Sequence, residues 1–555
     1  AAGVLVLPVP VAPTRRGVTP TTAGSTVAHA DRAGNAPRSP PAPHVRVRSF
    51  TSRPRWRPWL SAAHHVHRAR APGQPWRRCA VTRRRRPAIA AHGRRYANQR
   101  HLGVGHRPSG GSAELHRAGW RGRLQVLRFS HTNDRAAGAV VTAPATSAST
   151  PIASVNVVDR FVKGRFELFY SIGSSGQATD FAPRQVMLTP GMNVSLAPFG
   201  GRSSDQVLPM FHLISQEPTL HQSLWIGVGW TGTWRLDLVV TVEGVQIVCG
   251  QNHTNLQLLP GESFRTPSVL MLPYTGDAES GFNVWRELLR RHFTPRQPGT
   301  RDPVVLPTAV SFASIAFEDC NETNQILAIQ NTAKYFKSAG VDTYWIDAGW
   351  QGVFPTSVGN WTPNATRFPN GMAPVGAAAA AAGLQLLLWF EPERVMEGTE
   401  LWKQTSLYTM LPPEQCRLCD QDATRPCGLL NLGDPKARNW ATHMVSSMVT
   451  EANLTWYRQD FNTLPALFWL AADKASTADL SPQLQEHHQQ RRQHQDQEQM
   501  ATTAADIVRE GISEALHVEG LYRFWDDLRA QHPGLSIDNC ASGGRRIDVS
   551  ELLRH

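Results

Sequence analysis

Carboxylic acids and tryptophans recur together at four places in the second half of this 555-residue chain. The four segments are residues 344–350, 388–394, 456–462 and 537–548. Two carboxyl groups can serve as the nucleophile and the proton donor of glycoside cleavage, and an indole ring packs well on the apolar face of a pyranose. These residue types therefore indicate a site for sugar chemistry.

Each of the four segments lies at the C-terminal end of a predicted strand. We predict strands at residues 304–312, 341–347, 384–390, 454–460 and 535–538, and helices at 322–338, 373–382, 435–453 and 507–531. Alternating strands and helices predict a parallel sheet, open or closed. In a closed barrel the carboxyl ends of the strands form the face that carries the active site.

The preceding part of the chain has a different pattern. Short apolar or alternating runs occur at residues 160–169, 186–188, 224–230, 234–242, 245–248 and 269–272, separated by Gly, Asn and Pro. Such runs at intervals near ten residues are typical of an antiparallel β-sandwich. We predict this sandwich over residues 156–300, the parallel region over 301–555, and a Gln/His-rich insertion within it at 474–505.

The positive charge of the chain belongs to its first part. Residues 1–150 hold 26 arginines, no lysine and three acidic residues, so this part has a net charge of +23. Because the whole chain has a net charge of +13, the remainder carries −10. A basic disordered arm for nucleic acid or a membrane surface is one interpretation. The other is a disordered or non-native extension over residues 1–155, which the Arg, Pro and His composition favours, and we predict neither a nucleic-acid nor a membrane partner. No apolar run of about 18 residues is present, which excludes a transmembrane helix.

The cysteines and the glycosylation sequons give two smaller indications. Seven cysteines are scattered except for Cys416, Cys419 and Cys427, which lack the nearby histidine that a zinc site of this spacing would need. A loop disulfide or free thiols are the alternatives. Six Asn-x-Ser/Thr sequons favour a secretory, vacuolar or extracellular location; they start at Asn193, Asn252, Asn321, Asn360, Asn364 and Asn453.

The ordered motifs resemble those of glycoside hydrolase family 36, the retaining α-galactosidases. The resemblance extends from about residue 160 to the last residue and is carried by residues 225–234, 344–352, 359–369, 388–401, 430–440, 456–462 and 518–548. It implies a β-sandwich followed by a (β/α)8 TIM-type barrel. It also implies a hydrolase that removes terminal α-linked galactose from oligosaccharides or glycoconjugates, without a metal or organic cofactor.

The resemblance assigns two catalytic carboxylates. The family's Lys-x-Asp-x-Asn motif, which holds the nucleophile, reads Arg458-Gln-Asp460-Phe-Asn462 here. Residues i and i+2 of a strand share a face, so we expect the Arg458 guanidinium to lower the pKa of Asp460 and keep it ionised. Asp548 lies eight residues after Cys540, as the family's acid/base does, and is expected to have a raised pKa. Retention requires the two carboxyl groups to be roughly 5–6 Å apart.

The same resemblance assigns the groups that bind the sugar. Besides Arg458 and Asn462 they are Asp347, Trp350, Trp389, Arg425, Cys540 and Gly543. The family's Asp-Asp-Gly-Trp motif reads Asp347-Ala348-Gly349-Trp350, so one carboxylate is kept and one is lost. Losing one acceptor weakens galactose binding by about 1.5–3 kcal/mol or shifts the preference to another α-linked sugar.

Several alternatives stay open at this stage. The chain has no methionine before Met187 and ends seven residues after Asp548, and five or six strands are recognised instead of eight. We therefore expect a barrel that is incomplete at its C-terminus. A catalytically impaired carbohydrate-binding remnant, an α-N-acetylgalactosaminidase, a raffinose-type galactosyl transferase and a nucleic-acid-binding protein are the alternative functions. The sequence leaves assembly into a homo-oligomer open.

Overall fold

A computed structural model describes residues 140–142, 152, 154–217, 222–259, 261–297, 304, 307–310, 317–404, 409–411, 418–419, 422–477 and 508–555. The basic region before residue 140 lies outside the described residues. So do residues 478–507, which include most of the Gln/His-rich insertion. The remainder forms two kinds of sheet, antiparallel in the first part and parallel in the second.

The antiparallel part consists of short strands that run from β1 to β12. They are β1 (Val140–Thr142), β2 (Asn156–Lys163), β3 (Phe166–Ile172), β4 (Pro183–Met187), β5 (Asn193–Leu196), β6 (Val207–Ser215), β7 (Gln222–Gly229), β8 (Trp234–Val240), β9 (Gly244–Gln251), β10 (Asn255–Leu256), β11 (Ser263–Arg265) and β12 (Ser268–Thr275). One sheet has the order β12-β7-β6-β3-β4 and the other β2-β9-β8-β5, both antiparallel. The predicted antiparallel architecture is confirmed.

The chain crosses from one of these sheets to the other at Gly164. The run at 160–169, predicted as one segment, is two strands, because Gly164 adopts a φ of 113° between β2 and β3. Glycine takes such a left-handed angle without the clash that a side chain would meet. Strands β5 and β6 were not predicted from the sequence.

The core of this part follows from side-chain alternation. In β8 the residues Trp234, Leu236 and Leu238 are buried while Arg235 and Asp237 are only partly covered. Helix α1 (Ala278–His292) packs Trp285 onto the other sheet. Alternate residues of a strand face opposite sides, so each sheet presents one apolar face to the core.

The second part alternates strands with helices. Its elements are β13 (Ala309–Val310), α2 (Glu322–Tyr335), β14 (Thr343–Ile346), α3 (Ala373–Ala382), β15 (Gln385–Phe390), β16 (Arg394–Met396), β17 (Thr409–Met410), β18 (Leu418–Cys419), β19 (Asp422–Leu430), α4 (Pro435–Glu451), β20 (Trp456–Gln459), α5 (466–477), β21 (Arg509–Glu510), α6 (Ile512–Gln531) and β22 (Ser536–Asn539). Short 3-10 helices lie at Phe317–Asp319, Lys337–Ala339 and Trp402–Gln404.

The main sheet of this part is parallel throughout. In the described residues its order is β13-β14-β15-β20-β22. Each strand of this sheet pairs in parallel with the strand of the sheet that follows it in the chain after an intervening helix. Strand β15 is buried on both faces after its first residue, as a central strand covered by helices should be. This order places the carboxyl ends of all its strands along one edge.

The helices begin and end where local chemistry dictates. Helix α3 matches its predicted bounds and ends at Gly383, which adopts the left-handed conformation of a helix C-cap. Helix α4 begins after Asp434, whose side chain accepts a hydrogen bond from the Lys436 amide, with Pro435 in its first turn.

Three smaller observations complete the fold. Strands β16, β17 and β19 form a separate antiparallel sheet. Cys427 in β19 is disulfide-bonded, which agrees with the loop-disulfide alternative for these cysteines. Among the described residues no cluster of side chains suited to a metal ion is found, and no helix there has the length and apolarity to cross a membrane.

The packing of α3 against the end of α4 generates a stability prediction. A Cβ added to Gly376 would clash with the Ala452 carbonyl oxygen, whereas one added to Gly534 would meet nothing within 4 Å. We expect Gly376→Ala to lower the free energy of unfolding by about 1–3 kcal/mol, because the gain in helix propensity does not offset a backbone clash. Gly534→Ala is the control and should change it by less than about 0.5 kcal/mol. Urea unfolding of both variants checks this, and equal stabilities would contradict the packing.

Candidate active site

The candidate site lies along the edge where the parallel strands end. Asp347 follows β14, Asp460 follows β20 and Cys540 follows β22. The register aligns Trp389 of β15 with Arg458 of β20, and Arg458 with Asp538 of β22. Parallel pairing therefore brings side chains from distant parts of the sequence into one row.

Backbone amides surround one oxygen of Asp460. Its Oδ1 accepts hydrogen bonds from the amides of Phe461 at 2.8 Å, Ser542 at 3.0 Å and Ala541 at 3.3 Å. Two of these donors come from the loop after β22, so the nucleophile of the sequence prediction contacts a neighbouring strand's loop.

Side chains hold the other oxygen of Asp460. Its Oδ2 accepts a hydrogen bond from Asn462 Nδ2 at 2.8 Å and from the indole Nε1 of Trp389 at 3.3 Å. The structure therefore brings together Trp389, Asp460 and Asn462, all predicted site residues. Asn462 is fixed in turn by Glu391, whose carboxylate accepts from its backbone amide at 2.5 Å and its Nδ2 at 3.2 Å.

These contacts keep Asp460 ionised. Burial acts to raise the pKa of Asp460, but the Ser542 amide, the Arg458 charge and Asn462 more than offset it and lower this pKa to about 2. The group is thus an anion throughout the neutral and mildly acidic range. The predicted influence of Arg458 on the pKa of Asp460 is present, although the backbone amide acts more strongly.

Arg458 is held between two other carboxylates. Its Nη1 donates to Asp538 Oδ2, its Nε lies 3.7 Å from Asp347 Oδ2, and its guanidinium stacks over the Trp345 ring at 4.4 Å. Arginine can fork between partners in this way, whereas lysine presents a single point charge. The arginine in place of the family's lysine therefore links the ends of β14, β20 and β22.

Asp347 has the opposite electrostatic character from Asp460. Burial raises the pKa of Asp347 to about 6, with the negative charge of Asp460 adding to it, while the Ala348 amide and Arg458 lower it in part. Its oxygens accept from the Ala348 amide at 2.9 Å and from Trp345 Nε1 at 3.1 Å. A recess lined by Asp347, Ala348 and Cys320 opens beside it.

The loop after β22 borders open space. The amide of Gly543 donates to Cys540 Sγ at 3.3 Å, and burial raises the pKa of the Cys540 thiol to about 11, so the thiol stays neutral. A Cβ added to Gly543 would meet nothing within 4 Å, and its φ is 90°. The space beside the backbone at Gly543 is therefore unoccupied by other atoms of the described residues.

The structure encloses Asp548, the proton donor expected from the sequence. Its side chain is fully enclosed and accepts hydrogen bonds from Thr231 Oγ1 at 2.8 Å and from the amides of Ser550 and Glu551 at 2.9 and 3.0 Å. Burial raises its pKa, in the expected direction. However, the carboxyl group hydrogen-bonds to the sandwich and to the turn that follows it and is not exposed, so this arrangement does not support the expected role of proton donor. Spacing from Cys540 located the residue in the chain but could not show which way the turn points it.

Three further residues predicted to contact the sugar are buried or have side chains outside the described residues. Trp350 is fully buried, donates to the Trp389 carbonyl at 2.9 Å and packs edge-on against Phe390, so it supports β15 and does not present a ring to a sugar. Trp389 is 1% exposed and offers only its indole N–H to the site. The side chain of Arg425 lies outside the described residues.

Sequence reasoning missed the roles of two buried acids. Glu391 orients Asn462 and is paired with Arg394 at 2.6 Å. Glu393 accepts from Arg546 at 2.7 Å and from Gln459 at 2.7 Å, which ties the loop after β22 to β15 and β20. The Glu-Pro-Glu sequence after a buried strand was visible as a signal, but nothing in it showed that these carboxylates point at other protein groups.

Comparisons with known proteins agree with this architecture. A family model described as Melibiase matches residues 263–479. The chain is 24% identical over 361 residues to alpha-galactosidase AgaA of Geobacillus stearothermophilus, covering 63% of this chain and 44% of that protein. It is 24% identical to alpha-galactosidase 2 of Hypocrea jecorina, covering 63% of this chain and 43% of that protein. The chain thus spans less than half the length of these curated relatives.

Solved structures show the same fold. The crystal structure of the GH36 alpha-galactosidase AgaA from Geobacillus stearothermophilus aligns with a TM-score of 0.56 at 20% identity, over 72% of this chain and 50% of that one. The alpha-galactosidase from Lactobacillus brevis aligns with a TM-score of 0.56 at 17% identity, over 75% and 51%. The resemblance to glycoside hydrolase family 36 that the motifs indicated is confirmed.

The raised pKa of Asp347 generates a stability prediction. Its pKa is about 6 in the folded protein and 3.8 in an ordinary environment, so its ionisation opposes folding progressively from about pH 4 and fully above pH 6. We expect Asp347→Asn to raise the free energy of unfolding by about 1–3 kcal/mol at pH 7 and by much less at pH 4. Urea unfolding at the two pH values measures this, with exposed Asp319→Asn as the control. A gain that is the same at both pH values would contradict the assignment.

Proposed function

We propose that this chain carries the nucleophile and sugar-binding groups of a glycosidase that removes terminal α-linked galactose with retention of configuration. The observation that carries the proposal is Asp460, a partly buried carboxylate that its surroundings keep ionised at the carboxyl edge of a parallel sheet. Support also comes from the similarity to curated alpha-galactosidases, and from AgaA structures described as complexes with stachyose and raffinose.

The proposed chemistry is a double displacement. Asp460 attacks the anomeric carbon, the glycosidic C–O bond breaks, and the leaving oxygen takes a proton from an acid. Water then attacks the anomeric carbon and gives its proton to the conjugate base of that acid, the ester C–O bond breaks, and Asp460 leaves in its ionised form. Oδ1 is occupied by three amide donors, whereas Oδ2 accepts two side-chain donors, one at 3.3 Å. We therefore take Oδ2 as the attacking oxygen.

Recognition of the sugar is assigned to the polar groups beside Asp460. Asp347 and Arg458 provide a hydrogen-bond acceptor and donors on one side, and the backbone at Gly543 provides a close approach on the other. Ala348 stands where the family has a second carboxylate. We expect the site to bind galactose with fewer charge-assisted hydrogen bonds than relatives that keep both acids.

The finer features of the fold belong to the same proposal. We take the five described parallel strands as part of a (β/α)8 barrel, since their order is sequential and helices connect them. The enclosure of Asp548 does not favour a role for it as the proton donor. The acid that protonates the leaving oxygen is therefore left unassigned, and a carbohydrate-binding protein that cleaves poorly is the second candidate, favoured by the enclosure of Asp548.

Leaving-group dependence separates the roles of the two aspartates. A dinitrophenyl leaving group departs without protonation, whereas the sugar leaving group of melibiose needs an acid. We expect the chain to hydrolyse dinitrophenyl α-galactoside and Asp460→Ala to lower kcat/KM at least about 10³-fold. Asp548→Asn should change both substrates by the same small factor. Initial-rate kinetics on both substrates measures this.

The control is Asp277→Asn, which keeps the exposed N-cap of α1 and should leave both rates unchanged. If Asp548→Asn lost melibiose cleavage by about 10²-fold or more and kept the activated substrate, Asp548 would be the proton donor after all. An Asp460→Ala variant as active as the wild type would contradict the proposal. Binding of galactosides without any hydrolysis would favour the second candidate.

A further inference from the structure

The loop that donates to the nucleophile has an unusual backbone. Four consecutive residues have positive φ angles: Ala541 at 124°, Ser542 at 56°, Gly543 at 90° and Gly544 at 91°. Residues with a Cβ rarely adopt such angles, because the side chain clashes with the neighbouring carbonyl group. Surrounding contacts must therefore hold Ala541 and Ser542 in this conformation.

The conformation is what directs the loop at Asp460. With it, the amides of Ala541 and Ser542 both point at Asp460 Oδ1, and the Ser542 hydroxyl donates to Asn462 Oδ1. A chain that relaxed to ordinary φ angles would turn these amides away. The hydrogen bonds to Asp460 thus depend on the loop keeping its strained backbone.

A serine of the sandwich hydrogen-bonds to residues 544–547, at the C-terminal end of this loop. Ser204, in the turn before β6, donates from Oγ to the Gly544 carbonyl at 2.7 Å and accepts at Oγ from the Ile547 amide at 2.8 Å. Its own amide donates to the Arg545 carbonyl at 3.0 Å. Ser204 is fully buried, so water cannot replace these bonds.

A second serine lies beside it. Ser174 donates from its amide to the Ser204 carbonyl at 2.9 Å, and its Oγ lies within hydrogen-bond distance of the Gly543 carbonyl at 2.8 Å and Asp180 Oδ2 at 2.9 Å. One hydroxyl proton serves only one of these two acceptors at a time. The Ser204 hydroxyl donates one hydrogen bond to the loop and accepts another from it, and it therefore holds the loop more firmly than Ser174 does.

We propose that Ser204 is a positioning residue of the sandwich that holds residues 541–544 in the conformation from which Ser542 hydrogen-bonds to Asp460. The inference rests on the proposed function of Asp460 as the nucleophile. Replacing Ser204 by alanine removes the hydroxyl from a buried place and leaves the Gly544 carbonyl and the Ile547 amide without that partner. The loop then relaxes and Asp460 loses amide donors.

The charged and titratable groups that face Asp460 are known from each neighbouring element. They are Arg458 on its own strand, Asp347 after β14, Glu391 after β15 and Cys540 after β22. Ser204 hydrogen-bonds to none of them. Arg202, two residues before Ser204, donates to the Phe461 carbonyl at 3.5 Å, so hydrogen exchange at the loop must accompany any shift in the titration of Asp460 before that shift is attributed to the loop.

Hydrogen exchange tests the positioning without any activity. We expect amides of residues 541–547 to exchange at least about tenfold faster in Ser204→Ala than in the wild-type chain, because the protecting conformation opens more often. Ser223→Ala is the matched control, since Ser223 is also buried in the sandwich and accepts from the Ser215 amide within its own sheet. Unchanged exchange at 541–547 in Ser204→Ala would overturn the proposal.

The pH dependence of hydrolysis tests the consequence for Asp460. Loss of amide donors raises the pKa of a carboxylate, so the part of the acid limb of kcat/KM that belongs to Asp460, well below the titration of Asp347 near pH 6, should move upward by about one pH unit in Ser204→Ala on dinitrophenyl α-galactoside. A merely structural loss lowers the rate equally at every pH and leaves the limb in place. Recovery of activity on return to pH 6 controls for acid unfolding.

The two measurements separate the inference from the proposed function. A wild-type chain without hydrolysis refutes the proposed function, while the exchange experiment still decides whether Ser204 holds the loop. Hydrolysis with an unshifted acid limb in Ser204→Ala refutes the inference alone. If Ser204→Ala does not fold, Ser174→Ala, which removes only the contact to the Gly543 carbonyl from this loop, should give a smaller change in the same direction.

Discussion

A carboxylate that stays ionised although it is withdrawn from water is the constraint on which this structure depends. Removing an anion from water is costly unless donors and opposite charges replace the lost solvation. Asp460 obtains that replacement from a side chain of β15, from its own loop and from the loop after β22. All three sets of donors must be directed at Asp460 for its pKa to fall to about 2. The parallel sheet aligns them, and the sandwich holds the loop that supplies the third set.

The site contains two aspartates whose pKa values are shifted in opposite directions. Asp460 accepts three backbone amide hydrogen bonds on one oxygen, while Asp347 accepts one amide bond in all and keeps a pKa of about 6. Arg458 lies between them but its closest partners are Asp538 and Asp347. The difference in pKa is therefore produced mainly by where the amides point. Such a division of nearby carboxyl groups is how a site assigns different roles to chemically identical side chains.

Most of the parallel region could be predicted from the sequence, because its elements carry strong local signals. The alanine-rich helix α3 has the predicted bounds, and the apolar run of β15 differs by one residue. In the antiparallel part, β5 and β6 escaped prediction for different reasons: β5 is short and has no buried position, and β6 has no exposed position to mark the alternation of a half-buried strand. The residue types at the strand ends already place Asp460 and Arg458 together at the end of β20, since strand geometry fixes their common face.

The directions of side chains beyond the strands could not be predicted. Asp548 and Trp350 follow motifs with the right spacing, yet Asp548 turns toward Thr231 and Trp350 packs beneath β15. Both orientations depend on partners that are distant in sequence and on tertiary packing. The tie between Ser204 and the loop after β22 has the same origin, because residues more than 300 positions apart carry no shared local signal.

The most direct test of the account is to trap the covalent intermediate on the chain and locate it. A 5-fluoro-α-galactosyl fluoride forms a glycosyl ester that is hydrolysed slowly, and tryptic mass spectrometry then identifies the modified peptide. The account predicts the label on residues 459–474, at Asp460, and its absence after Asp460→Asn. A label on residues 338–367 or 547–554, which contain Asp347 and Asp548, or no label on a chain that turns over galactosides, would contradict it.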